Sequence, residues 1–408
     1  MREDWIEIGF KDVVDKIATS NYKVKQKDYL SAGDFPIIDQ GQELIGGFEN
    51  DEKKVLECDL PLVVFGDHTR CVKYINFQFI PGADGIKVLV PKLFINPKYL
   101  FYVVTVLANK IENKGYARHY QLLEKQFIAL PPLPEQRAIV KKLESLFSSL
   151  DAGVADLKKP QQQLKIYRQA VLKKAFEGEF EKVRIGNVLN LSKEKHKPEK
   201  TESLFYIGLE HIEKHTGRLT EKVGFEEINT VKNKFNKDDI LYGKLRPNLN
   251  KVYLANESGV CSTDMLVFTP SEKVVPKFVM QIMLSRGFVN DMSNNTSGVN
   301  LPRVSTKNVE NYLIPLPNID EQKEIVKQIE SRLSVCDSIE QNIKESLEKA
   351  EALRQSILKK AFEGKLLTEA ELAECKLEKD YEPAGVLLER IKAERNKVTV
   401  SKKKTKIT

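Results

Sequence analysis

"LKKAFEG" stands at Leu172–Gly178 and again at Leu358–Gly364, 186 positions apart, and the segments around these letters decide the fold. Laying residue 128 on residue 314 without a gap pairs Glu135-Gln136 with Glu321-Gln322, Ile139-Val140-Lys141 with Ile325-Val326-Lys327, and Asp151 with Asp337. It also pairs Arg168-Gln169 with Arg354-Gln355 and Phe176 with Phe362. Two segments of about fifty residues are copies of one element. In the first, Leu143, Leu150, Leu157, Leu164 and Val171 recur every seven residues, and the matching positions in the second are Ile329, Cys336, Ile343, Ala350 and Ile357. Sustained heptads with charged residues between them predict a coiled-coil seam.

Both copies carry helix boundaries. Lys173-Lys174 and Lys359-Lys360 suit a last turn, where cations meet the negative end of the helix dipole, and Gly178 and Gly364 can take the left-handed conformation that closes a helix. Upstream, Pro131 to Pro134 and Pro315 to Pro317 bar helix, while Pro134 and Asp320 suit a first turn. Pro160 falls inside the first helix where its counterpart is Ser346, and predicts a kink or break there.

Each rod follows a globular segment, so the chain reads as domain, helix, domain, helix. The boundaries are 1–130 and 181–316 for the two domains, 131–180 and 317–366 for the helical spacers, and 367–408 for a C-terminal segment. In that last segment, 368–378 and 384–397 have the spacing of short helices, and the basic end reads as disordered. Within the domains, 97–111 and 276–292 predict helices that begin at a proline. A lone heptad rod is commonly a dimerisation device; two in one chain can pair with each other in antiparallel fashion. The fold class is α+β: two mixed α/β domains separated by two long helices forming an antiparallel coiled coil.

Composition limits the function classes. With 408 residues, 41% hydrophobic and 30% charged, the chain has the balance of a water-soluble multidomain protein. Its longest apolar run, "FYVVTVLA" at 101–108, cannot span a bilayer, and "MREDWIEIG" lacks the order of a signal peptide. Five cysteines without metal-ligand spacing fit a reducing cytoplasm. A net charge of +7 permits nucleic-acid binding without establishing it, so any contact must come from local clusters.

Such clusters follow a strand in each domain. Gly66, Asp67, His68, Thr69 and Arg70 sit at a turn after "LPLVVF", and "YGKLRPNLNK" (242–251) brings Lys244, Arg246, Asn248, Asn250 and Lys251 to the corresponding place. These side chains could read base edges, with Arg70 and Arg246 matched as donors to guanine. Read blandly, each glycine is only a turn, each arginine an ion-pair partner and His68 a hydrogen-bonded turn residue. The rods stay alike while the domains diverge within a shared frame, as expected if the rods hold a common partner and the domains read different sequences.

Over nearly its full length the chain resembles the specificity (S) subunits of type I restriction-modification systems. The resemblance rests on "FIALPPLPEQRAIVKKLESL", "YLIPLPNIDEQKEIVKQIES", "LKKAFEGEF", "LKKAFEGKL", "VVFGDHTRCVKY", "GADGIKVL" and "DDILYGKLRPNLNKVYLANESGVCSTD". It implies two target-recognition domains that each bind half of a split site in double-stranded DNA. Two methyltransferase (M) subunits would dock on the rods, and restriction (R) subunits would join them. S-adenosylmethionine, ATP and magnesium would belong to those partners, with no cofactor, metal or catalytic residue on this chain. Family motifs add Lys114 and Arg118 in "KGYARH", and Asn295, Asn300 and Arg303 in "NTSGVNLPR", as further DNA-binding candidates. The first of these loops is two residues shorter, which leaves the equivalence of Arg118 and Arg303 open. The repeated rod residues Glu135, Gln136, Arg168, Gln169, Phe176, Glu321, Gln322, Arg354, Gln355 and Phe362 are expected to face the M subunits.

Enzymatic readings find little support. The chain lacks the Asn-Pro-Pro-aromatic motif and glycine-rich loop of an adenine methyltransferase, and Gly243-Lys244 and Gly364-Lys365 lack the rest of a Walker A sequence. A nuclease site on Asp67, His68 and Asp84 would be expected to recur in the second domain, where Lys244 replaces Asp67. A coiled-coil scaffold without sequence reading is the other alternative.

Overall fold

The structure, a computed structural model, describes residues 2, 4–82, 85–112, 115, 117–197, 205–221, 223–224, 230–298 and 300–393. Its residues form two compact units, Met1–Ala155 with Leu347–Thr408, and Asp156–Ser346. The predicted basic end at 398–408 and the last four residues of the predicted 384–397 helix lie outside the described residues, as do Asp84 and Lys114.

The first unit contains strands β1 (Ile6–Gly9), β2 (Val14–Ile17), β3 (Phe35–Ile38), β4 (Gly47–Glu49), β5 (Leu62–Gly66), β6 (Val72–Ile75), β7 (Ile80–Pro81) and β8 (Ile86–Pro91). Helices α1 (Pro97–Lys110) and α2 (Tyr120–Leu123), strand β9 (Phe127–Leu130) and the start of the long helix α3 (Leu133–Ala175) follow. The second unit carries β10 (Lys182–Arg184), β11 (Leu189–Leu191), β12 (Lys195–His196), β13 (Phe205–Ile207), β14 (Val223–Gly224), β15 (Lys232–Phe235), β16 (Ile240–Gly243), β17 (Val252–Leu254), β18 (Gly259–Cys261) and β19 (Met265–Pro270). It continues with α4 (Pro276–Leu284), α5 (Arg286–Asn294), β20 (Thr296–Ser297), β21 (Arg303–Val304), α6 (Thr306–Asn311), β22 (Leu313–Pro315) and the start of α7 (Ile319–Phe362); α8 (Glu369–Lys376) returns to the first unit.

The two domains repeat one topology. A four-stranded antiparallel sheet has the order β2-β8-β5-β6 in the first and β11-β19-β16-β17 in the second. Beside it, β4-β3-β7 corresponds to β14-β13-β18, with β3–β7 and β13–β18 both parallel; the second domain extends this sheet by β15 and β12. The registers Ile38↔Pro81 and Ile207↔Cys261 make Ile38 and Ile207 equivalent. One predicted helix is divided: at Ser285 the backbone turns to extended values and the Ser285 side chain accepts from Phe288 N, so 276–292 is α4 and α5.

Both rods are single helices. α3 continues through Pro160 without the expected break: the ring leaves only the exposed Asp156 carbonyl end without its helical donor, and half-buried Leu157 and Leu164 hold the seam on either side. Every expected heptad position is buried or half-buried, from Leu143 to Val171 and from Ile329 to Ile357. Arg354 donates to Asp151 in the first unit, and Arg168 to Asp337 (2.5 Å) and Glu340 (2.9 Å) in the second. Low-numbered residues of one helix thus meet high-numbered residues of the other, and the pairing is antiparallel. Since Asp151 is the repeat mate of Asp337 and Arg168 of Arg354, one ion pair is used twice with its partners exchanged.

The repeated motif at the rod ends has a packing role. In the first unit, Ile357, Leu358 and Ala361 join the core formed by α1 and the start of α3, and Phe362 packs edge-on against Tyr99 at 5.5 Å. In the second, Val171 and Leu172 join the core around α4, and Phe176 packs edge-on against Phe278, also at 5.5 Å. Each domain therefore seats the beginning of the rod that follows it and the end of the other rod. The stops differ: Gly364 takes φ +75°, whereas Gly178 is not left-handed.

The C-terminal segment closes the first unit. Thr368 caps α8 with Glu371, as expected for a helix there, and residues 384–393 are helical, placing Leu387 and Ile391 in the core. Arg137 of α3 binds Glu378 and Asp380, and Lys142 binds Glu371 at 2.7 Å.

Candidate nucleic-acid interface

In the first domain, β5 ends at Gly66, and the next residues turn back into β6 through Gly66 N→Cys71 O (2.8 Å) and Arg70 N→Gly66 O (2.8 Å). Asp67 is buried. Its carboxylate accepts from Tyr120 N (2.8 Å) and lies 3.4 Å from Lys87 Nζ, and its carbonyl accepts from His119 N (2.9 Å). His68 Nδ1 lies 3.2 Å from Ala117 O. The turn and the segment before α2, separate in sequence, are thus joined. Thr69 and Arg118 are exposed.

Arg70 has φ +61° and directs Nη1 onto Ile111 O (2.7 Å) and Ala108 O (3.5 Å), carbonyls at the end of α1. Those groups have no partner within the helix, so a cation there is both a cap and a match for the dipole. In the second domain Gly243 N donates to Lys251 O as Gly66 N does to Cys71 O, which makes Asn250 the counterpart of Arg70. Asn250 likewise has positive φ, +42°, and donates from Nδ2 to Met283 O (3.1 Å) near the end of α4. The sequence match of Arg70 with Arg246 is corrected accordingly. Arg70 and the fully buried Asn250 clamp equivalent helix ends, while Arg246 belongs to a longer turn that the first domain lacks.

Arg246 and Asn248 are exposed in that turn, which forms a 3-10 segment over Pro247–Leu249. Arg246 N donates to Pro302 O (2.8 Å), Val304 N to Lys244 O (3.0 Å), and Leu245 bridges Arg303. Residues 302–304 are thereby brought against the turn. The bond Val304 N→Lys244 O repeats His119 N→Asp67 O, so Arg118 and Arg303 are equivalent despite the loop-length difference. Arg303 is exposed, with Nη2 3.5 Å from Asp264 Oδ1; Lys244 Nζ donates to Thr263 O (2.9 Å) and lies 4.0 Å from the same carboxylate. Asn300 is exposed, and Asn295, also exposed, donates to Asp291 O. Lys251 is half-buried and donates to Leu209 O (2.5 Å); burial lowers its pKa, against the pull of Glu210.

Sequence reasoning missed a third loop. After β3, residues 39–46 lie beside the Gly66 turn, carrying exposed Leu44 and Ile45. The Asp39 carboxylate accepts from Gly41 N (2.8 Å), lies 3.5 Å from the buried Lys73 Nζ, and occupies space into which a side chain on Gly46 would project, while one on Gly82 would meet the Tyr29 hydroxyl and Asp39 Cβ. The clustered glycines were the available signal. Among the described residues, no group of three or more His, Cys, Asp or Glu is placed to hold a metal ion.

Among the rod residues expected to face the M subunits, Glu135, Gln136 and Gln322 are buried within the chain's own fold. Gln136 is fully buried, accepting from Asn96 N (2.7 Å) and donating to Phe94 O and Pro131 O. Gln322 repeats this bond for bond with Val275 N (2.8 Å), Lys273 O and Pro317 O. Neither can meet a partner protein. Exposed Glu321 caps α7 with Asn318, whereas Pro132 occupies the matching place in the first copy and has no N–H to offer, so buried Glu135 accepts from Trp5 Nε1 (2.9 Å). Burial raises the Glu135 pKa, with the Trp5 bond opposing. Gln169 donates to Leu284 O at 3.4 Å, and exposed Gln355 donates to Glu351 of its own helix.

A family model described as the type I restriction modification DNA specificity domain matches residues 2–158 and 177–349. The EcoDI specificity subunit of a type I restriction enzyme from Escherichia coli is 28% identical over 350 residues, covering 75% of this chain and 78% of that one. The StySPI specificity subunit from Salmonella potsdam is 24% identical over 432 residues, covering 97% and 88%. Two solved structures share the fold. A chain solved in work on complex assembly and conformational transition of a type I restriction-modification system superposes with TM-score 0.69 at 16% identity, covering 90% of this chain and 99% of that one. The HsdS subunit from Thermoanaerobacter tengcongensis gives 0.50 at 17% identity, covering 90% and 98%. Both loop clusters lie within the matched spans, and the chain belongs to the family of type I restriction-modification DNA specificity subunits.

Proposed function

We propose that this chain reads a two-part sequence in double-stranded DNA and recruits the subunits that act on it, performing no chemistry itself. One observation carries the reading: the same convergence of loops is built twice, in the same backbone register, with different exposed side chains. The first domain would present Thr69, Arg118 and the 39–46 loop to one half-site, and the second Arg246, Asn248, Asn300 and Arg303 to the other. Arginines and amides of this kind suit base edges and phosphates alike. Asp264 beside Lys244 and Arg303 restrains those cations until phosphates compete for them.

The rods would dock two M subunits in equivalent ways. Each unit offers the same pair of exposed apolar positions, Phe127 with Leu353 in the first and Leu313 with Tyr167 in the second. S-adenosylmethionine, ATP and magnesium are assigned to the M and R partners, and the assembly to the cytoplasm. No described helix is long and apolar enough to cross a membrane.

Mapping N6-methyladenine in DNA exposed to the chain with its M partner tests this reading. A split motif is expected. A reconstituted complex with no sequence preference would leave a scaffold, and metal-dependent cleavage by the isolated chain would make it a nuclease.

A further inference from the structure

Gln40 stands two residues beyond the end of β3 and holds the Gly66–Arg70 turn in two ways. Its side-chain Oε1 accepts from His68 N (3.2 Å), and its carbonyl accepts from Thr69 Oγ1 (2.6 Å). Two glycines make room for it. A Cβ on Gly66 would stand 3.0 Å from Gln40 Cβ, and one on Gly85, at φ +102°, would lie 2.7 to 2.9 Å from the amide atoms of Gln40. The Gln40 side chain therefore lies across the space between the end of β5 and the start of β8. Its own backbone is fixed by neighbouring Asp39, tied to Gly41 N and near buried Lys73.

The second domain carries half of this device. Strand register makes Leu209 the counterpart of Gln40. Its carbonyl again anchors the reading turn, accepting from Lys251 Nζ (2.5 Å), and its side chain packs against Gly243 as Gln40 does against Gly66. Leucine offers no acceptor. The carbonyl anchor is common to both domains, and the side-chain bond to the turn belongs to the first alone.

We propose that Gln40 is a positioning residue that sets the sequence preference of the first recognition domain by fixing the main chain at His68 and Thr69. The inference rests on the DNA-reading function proposed above. Hydrogen bonds weaken steeply with misalignment, so a turn released from its acceptor would present the same side chains to the wrong base edges. No direct contact between Gln40 and DNA is needed.

The test is Gln40→Leu, which installs the residue of the equivalent position and leaves the carbonyl anchor in place. The full chain, assembled with its M partner, is measured by competition binding on duplexes altered in one half-site or the other, and by methylation mapping. Discrimination at one half-site should fall roughly tenfold, the size of one lost base contact, with that half of the motif broadened. The other half-site, the one that Arg246→Ala affects, should be unchanged. Unaltered discrimination at both, or equal loss at both, overturns the proposal. If Gln40→Leu does not fold, Gln40→Met, unbranched and likewise without an oxygen acceptor in its side chain, must give the same one-sided loss on the same duplexes. A wild-type complex without any split-site preference would overturn the DNA-reading function itself, and this inference with it.

Discussion

Arg246→Ala and Arg70→Ala should behave oppositely, although the letters suggest twins. Arg246 is exposed on the longer turn of the second domain, and its loss is expected to weaken reading of one half-site by about 1 to 3 kcal/mol. Half-site competition would show this with the unfolding midpoint nearly unchanged. Arg70 caps α1, so Arg70→Ala should lower stability by about 1 to 2 kcal/mol by stranding the Ile111 and Ala108 carbonyls. A second contrast concerns Glu135. Its carboxyl is raised above the ordinary 4.5 by burial, so the folded state prefers the proton, and ionisation costs stability increasingly as pH rises past 4.5. Glu135→Gln keeps an acceptor for the Trp5 indole and removes that cost. Thermal unfolding should show a higher midpoint than wild type at pH 7 and little difference near pH 4. The buried pair could not be foreseen from the repeat, because the matching Glu321 is an ordinary cap; Pro132 in place of Asn318 decides it.

At the scale of elements, the repeated glutamine is a strut between rod and domain. Gln136→Ala and Gln322→Ala each remove three hydrogen bonds in a buried site and leave backbone groups unpaired, so each should cost about 2 to 4 kcal/mol. Denaturant unfolding of the two variants should give similar losses, since the bonds are the same. Gln355→Ala, at an exposed repeat position, should cost under about 0.5 kcal/mol. The rods themselves were legible because heptads, terminal lysines and flanking prolines are local signals, and all their seam positions are buried or half-buried. The role of the repeated residues was less so. Letters shared by two segments say that the same environment exists twice, but not whether that environment is a partner protein or the chain's own domain. Among the loops, Asn250 was a candidate from the sequence, but its match to Arg70 was hidden because backbone conformation, not side-chain type, sets it. The Asp39–Gln40 loop was hidden because its contacts are with residues distant in sequence. Pro160 was over-read: its penalty is real, but seam packing on both sides outweighs it.

On the scale of the whole molecule, the chain passes between its two units twice, at Ala155–Asp156 and at Ser346–Leu347, each time inside an unbroken helix. A spacing set by the rods should therefore respond only when both crossings are changed together. Lengthening α3 alone would move Asp151 and Arg168 apart while Arg354 and Asp337 stayed put, so one of the two reciprocal ion pairs and half of the seam would lose register. That variant should be destabilised and assemble poorly. Seven residues inserted at both crossings would preserve the heptad and both ion pairs. They would add about 10.5 Å of helical rise, close to three steps of a duplex that rises about 3.4 Å per base pair. No loop that reads DNA is touched by these insertions. Methylation mapping of the doubly extended chain with its M partner should return both half-sites unchanged and a non-specific spacer longer by about three base pairs. An unchanged spacer with full activity would mean that the partner subunits or DNA bending position the domains. The rods would then serve assembly alone, and their repeated residues would answer only to the domains they hold.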